Sequence, residues 1–64
     1  MMTIRKRFEI AVENYYDCLY STHSHEEANA WADDADFYKS ISLQCGYTVT
    51  SLNRIVDRMR TKSL

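Results

Sequence analysis

The chain contains no proline, and its single glycine is Gly46. Inside a helix these two residues cost roughly 3 and 1 kcal/mol relative to alanine, so nothing strongly interrupts helical structure before Gly46. Helices are therefore the default, and the spacing of apolar residues positions them. Thr3 is a fair N-cap, after which Ile4, Phe8, Ala11, Val12, Tyr15, Cys18 and Leu19 fall on one stripe, predicting a helix over about 4–21. Ser21, Thr22, His23 and Ser24 form a polar break. Ser24 with Glu27 three residues on reads as a capping box, and a second helix over about 25–45 carries Ala28, Trp31, Ala32, Ala35, Tyr38, Ile41, Ser42 and Cys45 on its inner face. Gly46 supplies the left-handed residue that ends it. Thr48 caps a third helix, about 49–62, with Val49, Leu52, Ile55, Val56 and Met59 inward and Thr50, Asn53, Arg54, Asp57, Arg58 and Thr61 outward. The expected fold is all-α: a long antiparallel helical hairpin closed by a shorter C-terminal helix, in one domain over 1–64.

A chain of 64 residues buries only about 60% of its unfolded surface, and small domains recover stability from disulfides, metals or self-association. Five tyrosines, two phenylalanines and a tryptophan are a generous aromatic supply for this length, which favours self-association. No run approaches the roughly eighteen apolar residues of a membrane span. Arg5, Lys6 and Arg7 are followed by a stretch broken by Glu9, Glu13, Asn14 and Asp17, unlike a signal peptide. The expected location is the cytosol, with Cys18 and Cys45 as free thiols. The tandem Met1 and Met2 leave the initiator open. The net charge of −1 hides a segregation, with +3 on residues 1–7, −8 on 8–36 and +4 on 37–64. Such blocks are either solvated faces or complementary surfaces.

The residues that could carry chemistry are few. Cys18, His23, His25 and Cys45 are soft metal ligands, but a continuous second helix separates His25 from Cys45 by about 30 Å, so they cannot converge on one ion. The same separation exceeds the roughly 7 Å between α-carbons that a disulfide tolerates. Asp33, Asp34 and Asp36 point in different directions around a helix and read as a solvated acidic face. No nucleophile with an adjacent base is visible, so no enzyme activity, metal or cofactor is expected.

The most specific local pattern is Tyr38 to Asp57. Gly46 is preceded four residues earlier by the small Ser42 and five earlier by the apolar Ile41, with Cys45, Tyr47, Leu52 and Ile55 at the surrounding apolar places. This resembles the helix-turn-helix motif of phage and bacterial repressors. The resemblance implies that Thr48, Val49, Thr50, Asn53, Arg54 and Asp57 face a major groove, with Arg58, Arg60 and Lys62 on phosphates. Against it, the long preceding helix carries Asp33, Asp34 and Asp36, which repel phosphate. Over its whole length the chain also resembles the small early-region proteins encoded between the exonuclease and excisionase genes of lambdoid phages, through Met2-Thr3-Ile4-Arg5-Lys6-Arg7-Phe8-Glu9 and Val56-Asp57-Arg58-Met59-Arg60. That resemblance implies an accessory factor acting on the host or on the choice between lysis and lysogeny.

Trp31, Tyr15, Tyr38 and Phe8 lie at core spacing, whereas Ile10, Tyr20 and Phe37 lie off the stripes. Three large apolar residues on the backs of paired helices favour a partner, and a symmetric homodimer is the commonest solution. The first expectation is therefore a homodimeric interaction protein acting on an unidentified host or phage protein. The alternative is a helix-turn-helix regulator that contacts DNA through Thr48, Thr50, Asn53, Arg54, Arg58, Arg60 and Lys62.

Overall fold

The computed structural model describes residues 2–63, of Ser63 only the backbone. Met1 and Leu64, at the ends of the expected domain, lie outside the described residues, as does the choice of initiator. Helix α1 spans Ile4–Asp17 and runs into a π-helical turn at Cys18–Thr22. Helix α2 spans His25–Gln44 and α3 spans Val49–Ser63, with no strand among the described residues. The fold is all-α, and α1 and α2 form the antiparallel hairpin.

Each helix begins where a hydroxyl can satisfy a free amide. Thr3 Oγ1 accepts from the Lys6 N–H at 3.1 Å, Ser24 Oγ from Glu27 at 3.3 Å, and Thr48 Oγ1 from Ser51 at 3.1 Å. Helix α2 ends in a Schellman arrangement: the Tyr47 N–H donates to the Ser42 carbonyl and the Gly46 N–H to that of Leu43. Gly46 has a φ of 102°, in the range that L side chains resist.

The first interhelical connection differs from the expected helix to residue 21 and its polar break. The α-helical pattern stops at Asp17, and the chain widens into one π-turn. The Cys18 carbonyl accepts from the N–H groups of His23 and Ser24 and from Thr22 Oγ1. His23 sits in the left-handed region at φ 55°. Because the Ser24 amide is spent on Cys18, only half of the expected capping box forms, and the Glu27 carboxylate accepts instead from the Cys18 thiol at 3.8 Å.

The core joins Phe8 and Val12 of α1 to Leu52, Ile55 and Met59 of α3, with Tyr16, Ala35, Tyr38 and Val56 packed around them. Helix α2 contributes mainly small residues: Ala28 and Ser42 are fully buried, and Ala35 lies midway between them at heptad spacing. Small side chains at the contact let helix axes approach closely. Two expected inward residues are instead exposed, Cys45 and Val49, the latter to 52%. Both border the turn, past the end of the α1 surface that covers the other inward positions. Tyr16, outside the expected stripe, joins the core because α3 packs on that flank of α1. Burial pushes its phenol up from the ordinary range, partly opposed by nearby Arg60.

Ser42 is 0% exposed, and its Oγ has no hydrogen-bond partner. A buried hydroxyl without a partner opposes folding, and alanine is the better helix former. Ser42→Ala is expected to raise unfolding free energy by about 1 kcal/mol, and Gly46→Ala to lower it by about 1 kcal/mol through backbone handedness alone, both read from urea unfolding curves.

Candidate basic groove between α1 and α3

Glu9 stands on the flank of α1 that meets α3, with its side chain only 12% exposed. Its Oε1 receives both Arg5 Nε at 3.5 Å and Arg58 Nη2 at 3.0 Å, and its Oε2 receives Lys6 Nζ at 3.6 Å. The Arg5 and Lys6 contacts follow from i,i+4 and i,i+3 spacing on one helix. The Arg58 contact bridges to α3. One turn further on, Glu13 meets Lys62 at 3.5 Å, so the pairs rise together along both helices and α1 and α3 run parallel. Their N-terminal ends, which carry positive partial charge, therefore lie at the same end of the molecule.

At that end a groove of about 520 Å³ opens, lined by Arg5, Tyr47, Ser51, Arg54, Ile55 and Arg58. None of these is acidic. Arg54 has no ion-pair partner among the described residues, and Arg5, Lys6 and Arg58 share one carboxylate. Four cations against one anion leave a local positive excess, in a chain whose overall charge is −1.

The residues expected to contact DNA divide accordingly. Thr48, Thr50, Asn53, Arg54, Arg58, Arg60 and Lys62 are all exposed, but three of the four cations already have partners: Arg58 on Glu9, Lys62 on Glu13, and Arg60 on Asp57 at 3.2 Å. Thr48 serves as the α3 cap. Sequence reasoning missed Arg5, Glu9, Tyr47 and Ser51 as parts of one site. The Arg5–Glu9 spacing was the available signal, but the α3 side of the groove depends on how the helices pack.

Of the expected interface residues, Phe37 is 60% exposed and Tyr20 43%. Ile10 is half-buried, unlike a residue on the outer back of α1. It lines a hollow of about 140 Å³ at the α1–α2 seam with Trp31, Asp34 and Tyr38. The Phe37 ring meets Tyr38 edge-on at 5.2 Å, and Tyr38 also lines that hollow. Tyr20 lies elsewhere, stacked on Tyr16 with ring centroids 5.9 Å apart.

Cys18 is buried and Cys45 exposed, both as free thiols. Burial, then the Glu27 charge, pushes the Cys18 thiol up from its ordinary range, away from nucleophilic reactivity. No group of three or more histidine, cysteine or carboxylate side chains able to hold a metal occurs among the described residues, and no helix among them is long and apolar enough to cross a membrane.

No protein-family model, curated protein or solved structure matches the chain.

The Glu9 cluster differs from an ordinary surface pair, which contributes at most about 1 kcal/mol, because one largely covered carboxylate holds three cations. Glu9→Gln is expected to cost about 1–2 kcal/mol in urea unfolding at low salt, shrinking as ionic strength rises. Glu13→Gln is expected to change stability by less than about 0.5 kcal/mol.

Proposed function

We propose that this protein is a small, non-enzymatic helical interaction module that forms a homodimer and acts through contact with another protein. In the setting its resemblance implies, it is a phage accessory factor in the bacterial cytosol, acting on the host or on lysis-lysogeny development. The supporting observation is a projection beside a recess: the exposed Phe37 lies next to the hollow bordered by Ile10, Trp31 and Tyr38. Such a surface is self-complementary under two-fold symmetry, because each copy's Phe37 can enter the hollow of its partner. Burying a phenylalanine contributes about 1.5–3 kcal/mol per copy, a large supplement to a core built on five buried side chains. Tyr20, stacked on Tyr16, stands apart from this contact.

Phe37→Asp is expected to convert dimer to monomer and to abolish the rise of melting temperature with protein concentration. Light scattering and thermal melts across a concentration series read both effects. A monomer mass for the unmodified protein at high micromolar concentration would overturn self-association.

The turn supports a second reading, as a helix-turn-helix DNA binder. Gly46 is left-handed, and Ser42 and Leu52, at a small and an apolar position of that motif, are fully buried. It ranks below the first because Arg58, Arg60 and Lys62 are engaged by acids of this chain and because Cys45 and Tyr47, apolar positions of the motif, are exposed. In a gel-shift assay at about 0.15 M salt the protein is expected to form no specific complex with duplex DNA, since its acidic segment offsets phosphate contacts. A nanomolar complex lost in Arg54→Ala would reverse the ranking.

A further inference from the structure

The basic groove has an electrostatic demand that the chain itself leaves unmet. Arg5 and Arg58 converge on a single oxygen of Glu9, which also serves Lys6 through its other oxygen. One carboxylate offsets only part of the charge of three cations, so a net positive field remains around it. Arg54 adds a third guanidinium to the rim. The parallel α1 and α3 direct two positive helix ends to the same region, and Ser51, in the first turn of α3, lines the groove. Its wall is not purely polar: Ile55 is a buried core residue, and Tyr47 keeps an exposed ring.

We propose that this groove holds an acidic peptide segment of a protein partner, with a carboxylate on the unpaired Arg54 and one apolar side chain against Tyr47 and Ile55, while Arg5 and Arg58, already held by Glu9, contribute positive field. The proposal rests on the reading of the chain as a protein-contact module and gives its partner a chemistry. Guanidinium forks match carboxylates in geometry as well as charge. The volume of about 520 Å³ falls within the roughly 300–1,000 Å³ typical of pockets that enclose small ligands. Duplex DNA fits less well on two counts. It offers no apolar group at its phosphate surface, and its charge extends far enough to meet the −8 carried by residues 8–36. A short peptide feels mainly the field within a Debye length, about 8 Å at physiological salt.

The test uses the full chain and a fluorescein-labelled peptide in which glutamates surround one central leucine, followed by fluorescence anisotropy. Binding is expected to weaken as salt rises. It is expected to fall about fivefold in Arg54→Ala and at least about tenfold in Arg54→Glu, as for loss of a charge-assisted contact. Arg54 is exposed and unpaired, and circular dichroism checks that both variants keep their helices. The same peptide with glutamine for glutamate is expected to bind at least about tenfold more weakly. Phe37→Asp is expected to retain peptide binding, since the Phe37 face is separate from the groove, so self-association and groove occupancy can fail independently. Absence of binding up to about 1 mM, a value at the weak end of specific recognition, would overturn the proposal. So would equal binding of the glutamine peptide, no effect of Arg54→Glu, loss of binding in Phe37→Asp, or displacement by duplex DNA at lower concentration than by unlabelled peptide.

Discussion

Phe8 and Val12 on α1 meet Leu52, Ile55 and Met59 on α3, and most of the architecture depends on that contact. It joins the beginning of the chain to its end, and α2 packs along α1 beside this pair. Helix α2 answers with small residues, Ala28, Ala35 and Ser42, and gains proximity to α1 without adding large side chains to the core. A consequence is that the bulky residues of α2, Trp31, Tyr38 and Phe37, lie half-buried or exposed along its flanks. The surface proposed for self-association thus arises from the same economy of space that shapes the core.

The same α1–α3 contact organises the charges. Once these helices lie parallel, the acids on one flank of α1 face the bases of α3, and Glu9 and Glu13 take Arg58 and Lys62. The segregated charge of the sequence is therefore used partly inside the molecule. The positive charge left unbalanced on α1 and α3 lies towards their N-terminal ends, around Arg5 and Arg54. The cations nearer the C-terminal end of α3 are the better compensated ones. Helix α3 thus presents uneven charge along its length, a different surface from the continuous basic stripe that phosphate recognition favours.

The three helix starts and the end of α2 were legible in the sequence because they are set by local chemistry, whereas the end of α1 was not. Thr3, Ser24, Thr48 and Gly46 each act within four or five residues of themselves. Inward positions in mid-helix were legible for the same reason, as Phe8, Val12, Leu52 and Ile55 attest. Legibility failed where competition or long-range packing decided. Ser24 could spend its amide on Glu27 or on Cys18, and the π-turn chose Cys18. Glu9 and Arg58 are 49 positions apart, and no periodicity states which flank of α1 receives α3. The same ambiguity concealed Tyr16 as a core neighbour and Arg5, Tyr47 and Ser51 as walls of one groove. Cys45 and Val49 followed their stripes in periodicity but lie beside the turn, where the covering helix has run out.

Gly46 and Ser42, four positions apart, illustrate two different kinds of restriction. Ser42 is enclosed, so replacements there are sorted by volume, and anything larger must displace its neighbours. At Gly46 an added Cβ would meet nothing within 4 Å, so room is not what selects glycine. Its positive φ is. The position should therefore respond to backbone handedness while remaining nearly indifferent to bulk: leucine or lysine would be disfavoured for the same reason as alanine, and asparagine, which tolerates the left-handed region, would be the mildest departure. In a collection of functional variants, position 42 would show a ceiling on size, and position 46 a narrow set of residues unrelated to size.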